Sequence, residues 1–229
     1  MPINESRNLI LDANGWVWPV EESASVASGL KGGQVCHVAE GEGTVVHQRS
    51  PNADVRARGT EPSLLVIHNI SLPPGRFGTG DVQAFFNNTL DCSAEVCYAA
   101  LANLRVSSHF LVARDGAITQ FVSTCERAWH AGVSAFEGRE RCNDFAIGIE
   151  LEGTDTAPFD AAQYRSLAAL TAAVTARHPI DAIAGHEHIA PGRKTDPGPH
   201  FNWSHYARLS NLSSVLLRGV PESARDGAG

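Results

Sequence analysis

An α/β domain built on a central mixed β-sheet flanked by helices is the fold class this sequence predicts, and three observations carry the prediction. SLLVIH, residues 63–68, is a continuous apolar run of strand length. SHFLVA and AITQFV are two further strand-like runs joined across Arg114-Asp115-Gly116. Asp160 opens DAAQYRSLAALTAAVTARH, in which Tyr164, Leu167, Ala168, Leu170 and Val174 mark one face of a long amphipathic helix.

Taken in order, residues 1–60 hold no sustained period of either kind, and Gly29, Gly32, Gly33, Gly41 and Gly43 interrupt any element there. They predict an irregular N-terminal extension packed on or flanking the core. The run at 63–68 ends in the turn-rich NISLPPG, as a buried strand does. DVQAFFNNTL, residues 81–90, predicts a short helix with the Asp81 carboxylate near the free N–H groups of its start. The runs on either side of 114–116 form a β-hairpin. DFAIGIELEG supplies a fourth strand, the helix begun by Asp160 follows, and a last helix spans roughly Trp203 to Leu217. The tail, 219–229, reads as flexible. No internal repeat or low-complexity linker divides two cores, so residues 61–218 are expected to form one domain around a sheet of about four to six strands.

Composition narrows the function. A chain of 229 residues can bury a sizeable core without disulfides. Eighteen Lys plus Arg against 25 Asp plus Glu, a net charge of −7, exclude a general nucleic-acid footprint and leave a small molecule or another protein as partner. No apolar run approaches the roughly 18 residues of a membrane span. MPINESRNLILDANGW lacks the charged start and apolar centre of a secretory signal, and together these predict a cytoplasmic protein. The five cysteines are odd in number and irregularly spaced, which argues for small buried or half-buried thiols in a reducing compartment.

Polar groups sit in three places where packing alone would not put them. His68 closes an apolar strand; alone it is as readily a hydrogen-bonded core histidine. In AIGIELEG the alternation sends Ile147, Ile149 and Leu151 to one face and Gly148, Glu150 and Glu152 to the other. An unpaired buried carboxylate costs on the order of several kcal/mol, so Glu150 needs either solvent or a partner such as a cation. The third place is HEHIAPGRKTDPGPH, residues 186–200, which three prolines and two glycines keep from being helical. There His186 and Asp196 offer an imidazole and a carboxylate, ligands suited to zinc, and His68 would complete a three-ligand site with a fourth position left for water. Glu150 would be the base for that water, and Lys194 the cation facing the oxyanion of acyl transfer. His188 stands as an alternative to His186, with His109 and His130 as further candidates. The helical H-E-x-x-H pattern is excluded, because the fourth residue after His186 is Ala190. His37, His47, His178, His200 and His205 have no such company and read as surface residues.

The strings SLLVIHNISLPPG, LRVSSHFLVARDGAITQFV, RAWHAGVS, GRERCNDFAIGIELEGTDT and IAPGRKTDPG resemble, in order, those of the AmpD-type N-acetylmuramoyl-L-alanine amidases. These are the cytoplasmic branch of the type 2 amidases, acting on anhydro-muropeptides in cell-wall recycling, and the likeness runs from about Ser63 to Trp203. It implies the amidase/peptidoglycan-recognition fold and one Zn2+ per chain, held by His68, His186 rather than His188, and Asp196. It implies catalytic roles for Glu150 and Lys194, and substrate contacts at Asn69, Arg105, Trp129 and Arg141. The arginines would clamp stem-peptide carboxylates and the Trp129 face would stack on a sugar ring; Arg139 reads as a solvated surface charge. The implied reaction is hydrolysis of the amide between 1,6-anhydro-N-acetylmuramic acid and L-alanine, with soluble anhydro-muropeptides as partners, no membrane or nucleic acid, and a monomer expected. The competing reading is a non-catalytic muropeptide-binding module; such modules lose part of the metal set, which here is whole. Two segments depart from the family: the long N-terminal region with its Gly-rich insert, and DCSAEVCYAALAN.

Overall fold

The computed structural model describes residues 8–20, 44–213 and 216–225. Strands β1 (Leu9–Leu11) and β2 (Val17–Pro19) pair antiparallel across a turn in which the Asp12 carboxylate accepts from the Asn14 and Trp16 N–H groups at 2.8 and 2.9 Å. Gly15 is needed in that turn. Its φ is +78°, and a Cβ there would meet the Ser123 and Thr124 hydroxyls at 2.7 Å. Strand β3 (Val45–His47) joins the central sheet, and β4 (Ala53–Val55) pairs with a later strand, residues Glu126–Ala128. The irregular reading of residues 1–60 is thus corrected where they are described. Strands of three residues are too short to show a period, and tertiary contacts fix them: the Val17 N–H donates to the buried Gln120 side chain at 2.7 Å. The Gly-rich stretch at 29–43 lies outside the described residues.

The remaining elements follow the chain. β5 (Leu64–Ile70) precedes α1 (Asp81–Phe86), which stops short of 90 where Asn88 takes a φ of +60°. β6 (Phe110–Val112) and β7 (Ile118–Gln120) form the expected antiparallel hairpin. β8 (Glu126–Ala128), β9 (Ala135–Phe136) and β10 (Arg139–Glu140) lead to β11 (Ala146–Glu152). α2 (Ala161–Arg177) begins where the Asp160 N–H donates to Gln163 Oε1 and ends at His178, held extended by the following proline. β12 (Ala182–Gly185) runs straight into α3 (His186–Ile189), a single helical turn where none was expected. α4 (Trp203–Leu209) is shorter than the helix expected to Leu217, since Asn211 turns left-handed at φ +50°. α5 (Glu222–Arg225) puts one ordered turn in the tail expected to be flexible, with Arg225 Nε donating to the Val220 carbonyl.

The six-stranded sheet has the order β12-β5-β11-β6-β7-β3. The first four strands are parallel, and β7 and β3 run against them, so the sheet is mixed. Side chains alternate across it. Leu65, Ile67, Ile147, Ile149 and Leu151 face α2, where Leu167, Leu170 and Val174 close a fully buried aliphatic layer. Gln163, buried at the first turn, donates to the Val112 and Glu152 carbonyls and pins the helix start to the ends of β6 and β11. On the opposite face Leu64, Val66, Ala146 and Ala184 are covered by Ala131, Cys142, Phe145 and Ile189. Beside them α1 packs Val82, Phe85 and Phe86 against Leu111 and Phe121. Four described cysteines are free thiols, and Cys97 and Cys125 are exposed rather than buried. Among the described residues no helix is long and apolar enough to cross a membrane.

Candidate active site

The parallel register of β5, β11 and β12 gathers the polar residues. Glu150 pairs directly with His68, and Gly185, the residue before His186, pairs with Ile67. Three strands therefore deliver His68, Glu150 and His186 to their common carboxyl end, the edge where α/β sheets bind ligands. The 190–197 loop folds back over that edge. The Glu187 N–H donates to the Asp196 carbonyl at 2.8 Å, the Lys194 N–H to the Ala190 carbonyl at 3.0 Å, and the Asn69 amide to the Pro197 carbonyl at 3.0 Å.

The result is a triangle of three polar atoms. His68 Nδ1, His186 Nδ1 and Asp196 Oδ2 lie 3.0, 3.0 and 3.1 Å apart, with both histidines buried. A tetrahedral ion with bonds of about 2.0–2.1 Å spaces its ligand atoms about 3.3–3.4 Å apart, so a small outward movement of these atoms fits one. The donor set, two imidazoles and a carboxylate, suits a borderline cation, and these three residues form a group able to hold a metal ion. Burial pushes His68 down to about 4, helped by His186. Burial alone would raise the Asp196 carboxyl, but hydrogen bonds to His186 and His68 outweigh it and hold the group well below the carboxylate range. A carboxylate beside two imidazoles that can each offer a ring nitrogen is the donor set a divalent cation needs.

Glu150 is buried beside the triangle, and its Oε2 has no hydrogen-bond partner. Burial, then the nearby Asp196 charge, raise its proton affinity well above that of an ordinary carboxylate, while Lys194 pulls it down. Lys194 itself is exposed. The other histidines considered as ligands are committed elsewhere. His188 Nδ1 accepts from the Gly185 N–H at 2.8 Å, and its ring lies against Trp203. His109 Nδ1 accepts from the Gly148 N–H at 3.0 Å, and its Nε2 lies 3.1 Å from the Glu126 carbonyl. His130 stands behind His68 and outside the triangle.

The four residues expected to touch substrate each have local partners. Asn69 lies at the site, but its amide already donates to Asp155 and Pro197. Trp129 is half-buried with its indole N–H 3.2 Å from Asp54 Oδ2. Arg141 is exposed and pairs with Asp144 at 3.2 Å, and Arg105 is exposed with its guanidinium on the Ala102 and Leu104 carbonyls. Arg139, read as a surface charge, is exposed and lies over the Phe145 ring. Three histidines read as surface residues are not; His205 is half-buried, its ring centroid 4.9 Å from that of Tyr164. His178 is buried with Nε2 2.8 Å from the Thr124 hydroxyl, and His47 is half-buried with Nε2 2.8 Å from the Val17 carbonyl oxygen.

The sequence profile of the N-acetylmuramoyl-L-alanine amidases matches residues 58–199. The 1,6-anhydro-N-acetylmuramyl-L-alanine amidase AmpD of Citrobacter freundii is 55% identical over 167 residues, 72% of this chain and 89% of the relative. AmpD of Escherichia coli K12 is 55% identical over 162 residues, 70% of this chain and 88% of the relative. Among solved structures, the crystal structure of a selenomethionine AmpD derivative superposes with a TM-score of 0.72 at 52% identity, covering 75% of this chain and 96% of that one.

Proposed function

Because this chain belongs to the N-acetylmuramoyl-L-alanine amidase family, we propose that it hydrolyses the amide between 1,6-anhydro-N-acetylmuramic acid and the L-alanine of muropeptides. The observation that carries the reading is the triangle of His68, His186 and Asp196 set beside a buried glutamate with an unpartnered oxygen. We assign one Zn2+ per chain to the triangle and the amidase domain to residues 61–218, with β3 added at the edge of its sheet and β1, β2 and β4 flanking it. A bound zinc would supply Lewis acidity at the scissile carbonyl and at the attacking water.

The residues of the chain do the rest. Glu150 takes the proton of the water whose oxygen adds to the lactyl carbonyl carbon. Negative charge then builds on the carbonyl oxygen, and Lys194 stabilises it by charge. Glu150 returns the proton to the alanine nitrogen as the C–N bond breaks, leaving a lactyl carboxyl group and a free amine. A group that must both accept and donate a proton works best with a proton affinity near neutrality, and burial beside Lys194 tunes Glu150 in that direction. Asn69, Arg105, Trp129 and Arg141 are assigned to the substrate, the arginines to stem carboxylates and Trp129 to the sugar. We place the protein in the cytoplasm as a monomer acting on soluble, imported fragments.

Incubating the purified chain with an anhydro-muropeptide should release free stem peptide and anhydro sugar, seen by mass, with little peptide released from intact sacculi at matched concentration. Zinc-loaded protein that binds the muropeptide and leaves it whole would favour the non-catalytic module instead. Faster release from sacculi would reject the recycling role.

A further inference from the structure

The turn after β8 supplies an outer partner to each histidine of the triangle. His68 turns Nδ1 toward the triangle, and its other nitrogen, Nε2, lies 3.0 Å from Nδ1 of His130. His186 also turns Nδ1 inward, and its Nε2 lies 3.1 Å from the Ala131 carbonyl oxygen, which accepts from Arg193 as well. A carbonyl oxygen can only accept, so His186 Nε2 donates to it, which leaves Nδ1 the atom that can offer its lone pair to a bound metal ion. The same outcome at His68 requires His130 Nδ1 to accept, which puts the His130 proton on Nε2, a buried atom without a hydrogen-bond partner.

The dipeptide is itself pinned. The consecutive N–H groups of His130 and Ala131 both donate to Oδ1 of the buried Asn143, at 3.1 and 2.8 Å. Space for the imidazole comes from Gly148, where a Cβ would lie 2.6 Å from His130 Cγ and Nδ1. We infer that His130 and Asn143 are positioning residues of the metal centre. His130 sets the tautomer and tilt of His68 with its side chain, and Asn143 holds the partners of both ligating histidines by gripping the 130–131 backbone. This rests on the metal-binding reading of His68, His186 and Asp196 and adds an outer layer that neither ligand spacing nor strand pattern contains.

The test is zinc affinity, measured by chelator competition on the full chain and its variants, with the cobalt-substituted absorption band and the metal-free melting temperature recorded alongside. Loss of an outer partner typically weakens a metal site about 10–100-fold, and that loss is expected for His130→Leu and Asn143→Leu. His130→Asn, which keeps an acceptor near the Nδ1 position, and Asn143→Asp, which keeps Oδ1, should recover most of it. Nitrogen-15 NMR of the zinc-loaded wild type should find the His130 proton on Nε2, a reading that survives even if a variant fails to fold. Binding by His130→Leu within about twofold of wild type, no rescue by His130→Asn, or a proton on His130 Nδ1 would each overturn the positioning role while the metal site stands. A wild type that takes up no zinc would instead remove the metal reading and this inference with it.

Discussion

The two faces of the β5–β11 strand pair share one backbone and one register yet have opposite chemistry. Toward α2 they present Leu65, Ile67, Ile147, Ile149 and Leu151. The other face begins alike, with Leu64, Val66 and Ala146, then changes at the carboxyl end to His68, Glu150 and Glu152. Burial does different work on each. Withdrawing an aliphatic side chain from water stabilises the fold by about 1.5–3 kcal/mol. Withdrawing a carboxyl oxygen without a partner costs about 1–3 kcal/mol and appears instead as raised proton affinity. The comparison teaches that stability resides in the helix-side layer and reactivity in the opposite one, so the two should separate on mutation.

Asp196→Ala should break the reactive face most completely: two imidazoles leave the ion under-coordinated, and zinc and turnover should both nearly vanish. Full zinc by metal analysis would remove Asp196 from the site. Glu150→Gln should lower kcat by about 10²–10⁴-fold while zinc content and melting temperature hold or rise, because a neutral amide replaces a poorly satisfied acid. A near-normal rate would assign the proton to another group. On the aliphatic face, Leu167→Ala should cost about 2–5 kcal/mol in urea unfolding and leave kcat per folded molecule unchanged; a matching fall in kcat would dissolve the contrast.

A smaller effect belongs to the end of α2. Burial, then Arg177, push His178 down to about 4 in the fold against 6.5 when unfolded, with Glu61 opposing. The unfolded chain therefore binds the extra proton between these values. His178 contributes stability that is whole above pH 6.5 and is lost as pH falls toward 4, by at most about 1.4 kcal/mol per unit. Stability of His178→Gln should depend less on pH than wild type over that window; equal slopes would show that the imidazole is solvated. The smallest effect is expected at exposed Arg141, where Arg141→Ala should reduce kcat/KM for the muropeptide by about tenfold and leave stability within about 0.5 kcal/mol.

Much of this was legible because particular residues narrow the reading. β5, β11 and α2 are long enough to show their periods, and His68 and Glu150 stand out as polar residues in apolar strands. The His186–Asp196 pair was legible from a loop rich in ligands and breakers. β3 and β12 were not: one has three residues, and the other, AIAG, has a single β-branched side chain and could equally be the end of a helix. The sequence predicts a longer α4 because nothing in it marks Asn211 as left-handed. His178 and His47 read as surface residues in the sequence because their partners, Thr124 and Val17, are far away in the chain. The grip of Asn143 on residues 130 and 131 has no sequence signature, being an accident of which loop lies over which strand.

The direct pairing of His68 with Glu150 also constrains how this protein can drift. A one-residue insertion or deletion within either strand would exchange its faces, sending the imidazole or the carboxyl into the aliphatic layer and a leucine or isoleucine into the reactive one. No nearby sequence repairs such a frame, so length changes can accumulate only outside the two strands, as in the segments 71–80 and 87–106 that join regular elements of this sheet. The pleat thus acts as a reading frame of its own, in which every neutral path between two working sequences must keep count by twos.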